Sequence, residues 1–149
     1  VKSRKVTKTL PGGKGMMALA PTAGGKRAWL TAPGSNQLIL LDLVKAENVA
    51  VVDVAGEPHG LVLSPDGKKA YLVQRKLNQI SIIDTASRKI IKSAAVGKRP
   101  DMLAISPDGK TLYVTIRDED KLLVLSAANL KVKAEVATGK EPHGVAYRK

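Results

Sequence analysis

The chain has 149 residues, long enough for one domain with a core of its own. It contains no cysteine, which excludes disulfides and thiolate metal sites and is compatible with any compartment. Its formal net charge of +12 favours acidic partners such as nucleic acid, anionic lipid or an acidic protein, yet the cations sit as single or paired lysines among apolar residues, as on a solvated basic surface.

Aromatic residues are scarce, with one Trp, three Tyr and no Phe, so the core must be built from Val, Ile, Leu and Ala, which suits β-structure. No apolar run approaches the ~20 residues of a membrane span. No apolar h-region follows Val1–Lys5, so no signal peptide is expected in this chain. The chain does not begin with Met, which points to a processed or cut fragment.

In chain order, residues 1–12 read as a single strand, because Val1–Leu10 aligns with residues 43–52. Residues 13–54 form a first unit, with Trp29-Leu30-Thr31 in its second strand and Asp42 ending its third. Residues 55–96 form a second unit with strands at about 59–64, 69–74, 79–84 and 90–96. Ser64-Pro65-Asp66-Gly67 lies between the first two of these and has turn chemistry: Pro presets φ, Asp bonds nearby backbone, and Gly takes a positive φ. Residues 97–138 form a third unit, and residues 139–149 begin a fourth.

The units are copies. Ser64-Pro65-Asp66-Gly67-Lys68 recurs as Ser106-Pro107-Asp108-Gly109-Lys110, an offset of 42 residues. Residues 57–98 and 99–140 share 14 identities in 42 positions without a gap. Pro58, Pro100 and Pro142 keep the spacing, as do Trp29, Tyr71 and Tyr113. Four short strands in this period define the blade of a β-propeller. The predicted fold is therefore all-β: a partial propeller of four-stranded antiparallel blades. In it, residues 1–12 are the outer strand of a preceding blade and 139–149 the inner strand of a further one. That makes fourteen strands, or three and a half blades, where known propellers have about four to eight. The missing half of a ring, or a second copy of the chain, is accordingly an expected partner.

Gly-x-x-Pro, Ser-Pro-Asp-Gly-Lys, Tyr113-Val114-Thr115 and Ile83-Asp84-Thr85 together resemble the YVTN β-propeller repeat. Tyr71-Leu72-Val73 and Trp29-Leu30-Thr31 are variants of the signature, and Leu125-Ser126-Ala127 departs from it. The resemblance spans nearly the whole chain. It implies an extracytoplasmic protein, periplasmic or at the cell surface, and relates the chain to lactonase and haem d1 propellers.

In a propeller the loop leading into each innermost strand opens at the mouth of the central channel. The repeat places Glu57-Pro58-His59, Arg99-Pro100-Asp101 and Glu141-Pro142-His143 there. Both histidines of the protein thus share one register position, with Asp101 between them and Met17 in the first copy. They can hold a metal or haem, or act as acid and base. The plainer alternative is a short polar residue bonding neighbouring backbone. Being two blades apart, they are not expected to share one metal. Arg75 and Arg117 are equivalent in the loops after the second strands and can grip a carboxylate or phosphate, or be solvated loop charge. Arg99 completes the candidate ligand-binding set with His59, Asp101, His143, Arg75 and Arg117. Asp66 and Asp108 read as turn residues on the opposite face, and Trp29, Tyr71 and Tyr113 as inter-blade core.

No Walker loop, dinucleotide fingerprint, Gly-x-Ser-x-Gly elbow or His-Glu-x-x-His motif occurs. The reading is a non-catalytic binding or scaffold propeller for a protein, glycan or small-molecule ligand. The alternative is part of an enzymatic or cofactor-binding propeller, lactonase-like or haem d1-like. No cofactor is required by the sequence, and haem or a metal enters only under that alternative. Electrostatic binding to nucleic acid or an anionic membrane rests on net charge alone, and the scarcity of aromatics speaks against nucleic-acid stacking.

Overall fold

The computed structural model describes residues 5, 6, 8–10 and 12–148. Twelve strands form three four-stranded antiparallel sheets. The first holds β1 (Leu19–Pro21), β2 (Arg27–Ala32), β3 (Gln37–Asp42) and β4 (Glu47–Asp53). The second holds β5 (Pro58–Leu63), β6 (Lys69–Gln74), β7 (Gln79–Asp84) and β8 (Lys89–Ala95). The third holds β9 (Pro100–Ile105), β10 (Thr111–Ile116), β11 (Lys121–Ser126) and β12 (Val132–Ala137). The order within each sheet follows the sequence, so every blade is a meander. The inner strands β1, β5 and β9 lie beside one another, and the outer strands face solvent. The fold is a partial β-propeller, and no α-helix occurs among the described residues.

Each turn repeats with its chemistry. Between first and second strands, Asp66 Oδ1 accepts the Ser64 hydroxyl at 2.6 Å and the Lys68 N–H at 3.0 Å. Asp108 does the same for Ser106 and Lys110. These bonds hold both carboxyls below their ordinary range. Between third and fourth strands, Asp42 and Asp84 accept the backbone N–H groups that follow them. Ala46, Arg88 and Leu130, the equivalent residues there, are all left-handed, and a bulge follows in each hairpin. Between second and third strands, a 3-10 turn ends on a left-handed Asn36, Asn78 or Asp120.

Blade faces pack on blade faces. Tyr71, Val73, Ile80 and Ile82 meet Leu103, Leu112, Val114, Ile116, Leu123 and Leu125 between the second and third blades. Trp29, Leu38 and Leu40 meet Leu61, Ala70 and Leu72 between the first and second. Each such side chain contributes roughly 1.5–3 kcal/mol when fully buried. The free face of the first blade (Leu30, Ala32, Ile39, Leu41) is covered by Leu10 and Leu43.

The flanking segments differ from the expectation. The described residues of 1–12 carry no strand, and neither do residues 142–148. An outer strand pairs with the third strand of its own blade and an inner strand with the second, and this chain contains neither partner. The last segment is nonetheless docked. Thr115 donates its hydroxyl to the His143 carbonyl at 2.8 Å, as Thr31 does to His59 at 2.7 Å. Tyr147 covers Tyr113, ring centres 5.9 Å apart.

A clasp recurs at each blade junction. Asn36 Oδ1 accepts the Glu57 N–H at 3.0 Å, and Asp120 Oδ1 accepts the Glu141 N–H at 2.8 Å. The carbonyls of the same residues accept Val54 and Thr138 N–H, both at 2.8 Å. The linker into each inner strand is thereby fixed, which sets where His59, Asp101 and His143 stand.

Candidate functional site

Asp101 is the hub of the channel mouth. It is wholly buried at the start of β9. Arg75, just after β6, donates to its Oδ1 at 2.6 Å, and Arg117, just after β10, to its Oδ2 at 3.4 Å. His59 Nδ1 lies 3.0 Å from the same Oδ1 and 3.2 Å from the Asp101 carbonyl. Two acceptors face Nδ1, so Nδ1 carries the proton and Nε2 the lone pair. Burial first, then the Arg75 charge, hold the imidazole below its usual value of 6.5. His59 is therefore a neutral acceptor at pH 7.

The arginines bridge outward. Arg75 reaches Glu57 at 3.7 Å and Arg117 reaches Glu141 at 3.1 Å. The Glu141 bond raises the Arg117 guanidinium above its ordinary range. Sequence reasoning allowed these arginines to grip an external carboxylate. Two of their donors instead grip the protein's own Asp101, because the two second-strand loops lean over the start of β9. Glu57 and Glu141 were not singled out in the sequence. Their signal was the shared register with Arg99, one position before the repeated proline.

The structure brings His59, Asp101, Arg75 and Arg117 into one network and sets His143 beside it. The His59 and His143 rings meet edge to face, with centres 6.3 Å apart, closer than two blades of separation suggested. The inner strands converge, so register-equivalent residues of alternate blades approach each other. His143 is exposed. Arg99 stands apart on the rim, 3.5 Å from Asp118. Among the described residues no cluster of three or more His, Asp or Glu can hold a metal.

A cleft of about 430 Å³ opens beside the network, lined by Gly15, Met17, Pro33, Gly34, Asn36 and the side of His59, Glu57, Arg75 and Lys76. A neighbouring cleft of about 520 Å³ shares Glu57, Arg75 and Lys76 and adds Asn78, Lys98, Arg99 and Asp118. His59 Nε2, Arg75 Nε and Arg117 Nε are buried without a hydrogen-bond partner.

No family model matches the chain, and no curated protein does. Solved structures match closely in shape. Hydrazine synthase from Kuenenia stuttgartiensis superposes with a TM-score of 0.78 at 21% identity, covering 90% of this chain and 39% of that one. A putative 6-phosphogluconolactonase from Bacteroides fragilis gives 0.74 at 21% identity, over 91% of this chain and 42% of that one. A periplasmic gluconolactonase from Pseudomonas aeruginosa gives 0.74 at 24% identity, over 90% and 42%. These likenesses establish the propeller fold. The chain spans about two fifths of the length of the structures it matches.

Proposed function

We propose that the three blades are an arc of a larger, YVTN-like propeller whose channel mouth binds a small polar molecule. The observation that carries the reading is the cleft of about 430 Å³ at the mouth, lined by Glu57, His59, Arg75 and Lys76 and large enough for such a ligand. Surrounding charges are fixed by Asp101, so the mouth is preorganised. The ring is completed by further blades or by a second copy, consistent with the fraction of each structural neighbour that the arc covers. An extracytoplasmic location agrees with the periplasmic gluconolactonase among those neighbours. A fragment screen by ligand-observed NMR tests the mouth: hits are expected whose binding is lost in Lys76→Gln or His59→Phe. A screen with no hit sensitive to either change refutes it.

A second reading is lactone hydrolysis, favoured by the two neighbours described as lactonases. In it, a neutral His59 takes a proton from the attacking water. Opening of glucono-δ-lactone followed by pH-stat discriminates. A rate no greater than that of buffer removes this reading and leaves the binding site.

A further inference from the structure

The two ends of the sheets carry charge differently. At the mouth end, cations and carboxylates neutralise one another: Arg75 and Lys76 pair with Glu57, Arg99 with Asp118, Arg117 with Glu141, and Lys121 with Glu119 and Glu135. At the opposite end lie the turns between first and second strands and between third and fourth strands. The first blade brings Lys26, Arg27 and Lys45 there, against Asp42 and Glu47. The second brings Lys68, Lys69, Arg88 and Lys89, against Asp66 and Asp84. The third brings Lys110 and Lys131, against Asp108. Cations are in excess at this end in every blade.

The excess stays unpaired for a structural reason. Asp42, Asp66, Asp84 and Asp108 each commit Oδ1 to N–H and hydroxyl groups of their own turns. Among the described residues, ion pairs at this end are confined to Arg27 with Asp42 and Lys45 with Glu47, each at 3.8 Å. Lys26, Lys68 and Lys110 are exposed, occupy one register position and have no such partner. Their backbone is nonetheless fixed. Each carbonyl accepts an N–H from the start of the neighbouring turn, that of Leu43 at 2.8 Å, Thr85 at 3.0 Å and Ala127 at 3.0 Å. Adjoining turns also touch, since a Cβ on Gly109 would lie 3.0 Å from Pro65 Cδ. The lysines stand on a fixed rim.

Inside the rim a groove of about 560 Å³ runs along the inner strands, lined by Leu19, Leu61, Leu63, Ile105 and Tyr147 among others, and by no charged side chain of the described residues. No carboxylate there offsets the rim. Apolar tips stand among the lysines: Val44 is 66% exposed beside Lys45, and Pro65 and Pro107 are exposed in their turns. Cations mixed with apolar tips fit a surface that is anionic outside and apolar beneath. A nucleic acid answers the charge alone, and the rings that would stack on its bases are covered: Trp29 and Tyr71 are buried, and Tyr113 lies under Tyr147.

We propose that the turn end of the arc docks on a bilayer of anionic phospholipid, with Lys26, Lys68 and Lys110 on the headgroups. The contact lies at the other end of the blades from the channel mouth, so the two sites stand or fall separately.

Co-sedimentation of the whole chain with phosphatidylcholine vesicles containing about one-third phosphatidylglycerol tests this. Binding is expected at low salt and should weaken as salt is raised. On pure phosphatidylcholine it should be about tenfold weaker or more. Each cation at such a surface strengthens binding about fivefold, so Lys68→Gln with Lys110→Gln should weaken it about twenty-five-fold. Lys14→Gln with Lys140→Gln removes the same charge at the mouth end and should leave binding within about twofold. All four side chains are exposed, so folding is not at stake. Equal losses in the two double variants overturn the assignment to the turn end. Equal binding to both kinds of vesicle, or none to the anionic ones, overturns the anionic bilayer. Duplex DNA that binds more tightly than the vesicles at equal phosphate, and is weakened by the Lys68 and Lys110 changes, gives the rim to nucleic acid and overturns the lipid partner.

Discussion

Asn78 holds Arg99 at the junction of the second and third blades: its Oδ1 accepts the Arg99 backbone N–H at 2.9 Å. Its carbonyl accepts the Val96 N–H at 3.0 Å, so one residue fixes both ends of the linker between blades. It does so from a left-handed backbone, φ 52°, a conformation Asn tolerates better than most side chains.

Asn78→Ala removes the side-chain bond and places a poor residue in left-handed backbone. A loss of about 2 kcal/mol is expected, roughly half from each cause. Asn78→Gly keeps the backbone and loses the bond, so it should cost about 1 kcal/mol. Urea midpoints for both variants measure this, and equal midpoints for wild type and Ala would show that the clasp carries no weight.

Glycine substitutions separate close approach from turn conformation. A Cβ at Gly60 would lie 2.6 Å from the Asp101 carbonyl oxygen and 2.9 Å from Met102 Cα, both backbone. Gly60→Ala must wedge β5 away from β9 and is expected to cost about 3 kcal/mol or more. At Gly67, φ +70°, nothing lies within 4 Å of a Cβ, so Gly67→Ala pays for conformation alone, about 1 kcal/mol. Thermal unfolding should rank Gly60→Ala clearly below Gly67→Ala.

Asp101→Ala leaves Arg75 and Arg117 facing each other without their shared carboxylate. Breaking a buried ion pair from one side typically costs 3–5 kcal/mol, and the partial exposure of the two arginine side chains, 13% and 25%, argues for about the lower figure. The same change removes the carboxylate acceptor at His59 Nδ1 and leaves only the carbonyl of residue 101, so the imidazole ¹⁵N tautomer signature should blur as stability falls. A variant as stable as wild type would show that the hub is dispensable.

Stability should depend on pH through His59. Its folded value lies below 6.5, held down by burial and by Arg75, with His143 adding to the effect and Asp101 opposing it. The unfolded chain therefore binds the proton first as pH falls. Stability from this group is complete above about pH 6.5 and declines as pH drops toward the folded value. The shortened turn bonds of Asp66, Asp84 and Asp108 act separately, below the ordinary carboxylate range. Denaturation midpoints from pH 8 to 5 should fall in wild type and stay flatter in His59→Phe.

The blade was legible because its punctuation is local. Ser64 to Lys68 and Ser106 to Lys110 announce their turns by residue type, and the strands between them follow from short apolar runs. The register also set His59, Asp101 and His143 at equivalent positions, and in the structure His59 lies 3.0 Å from the Asp101 carboxylate and 6.3 Å, ring centre to ring centre, from His143. What could not be read was which side chains meet across blades. That Arg75 and Arg117 converge on one Asp101 oxygen pair depends on the rotation between sheets, which no single repeat encodes. The buried Gln74, which donates to the Ala55 carbonyl at 2.8 Å and accepts from Gln79 and Ser81, was missed for the same reason. The described residues of the flanking segments, expected as strands from their register with the repeat, carry none, because register with a repeat yields a strand only where a partner strand pairs with it.

The bonds from Asp120 to Glu141 and from Thr115 to His143 form with no sheet behind them. Each finished blade thus presents a seat for the opening residues of the next, within 21 to 28 residues along the chain. A polypeptide emerging from the ribosome can dock one blade at a time on the one before, with no need to bring distant ends together until the last step. Vectorial growth of this kind keeps loop closure inexpensive at every junction, and leaves the final seam of the ring as the one slow encounter.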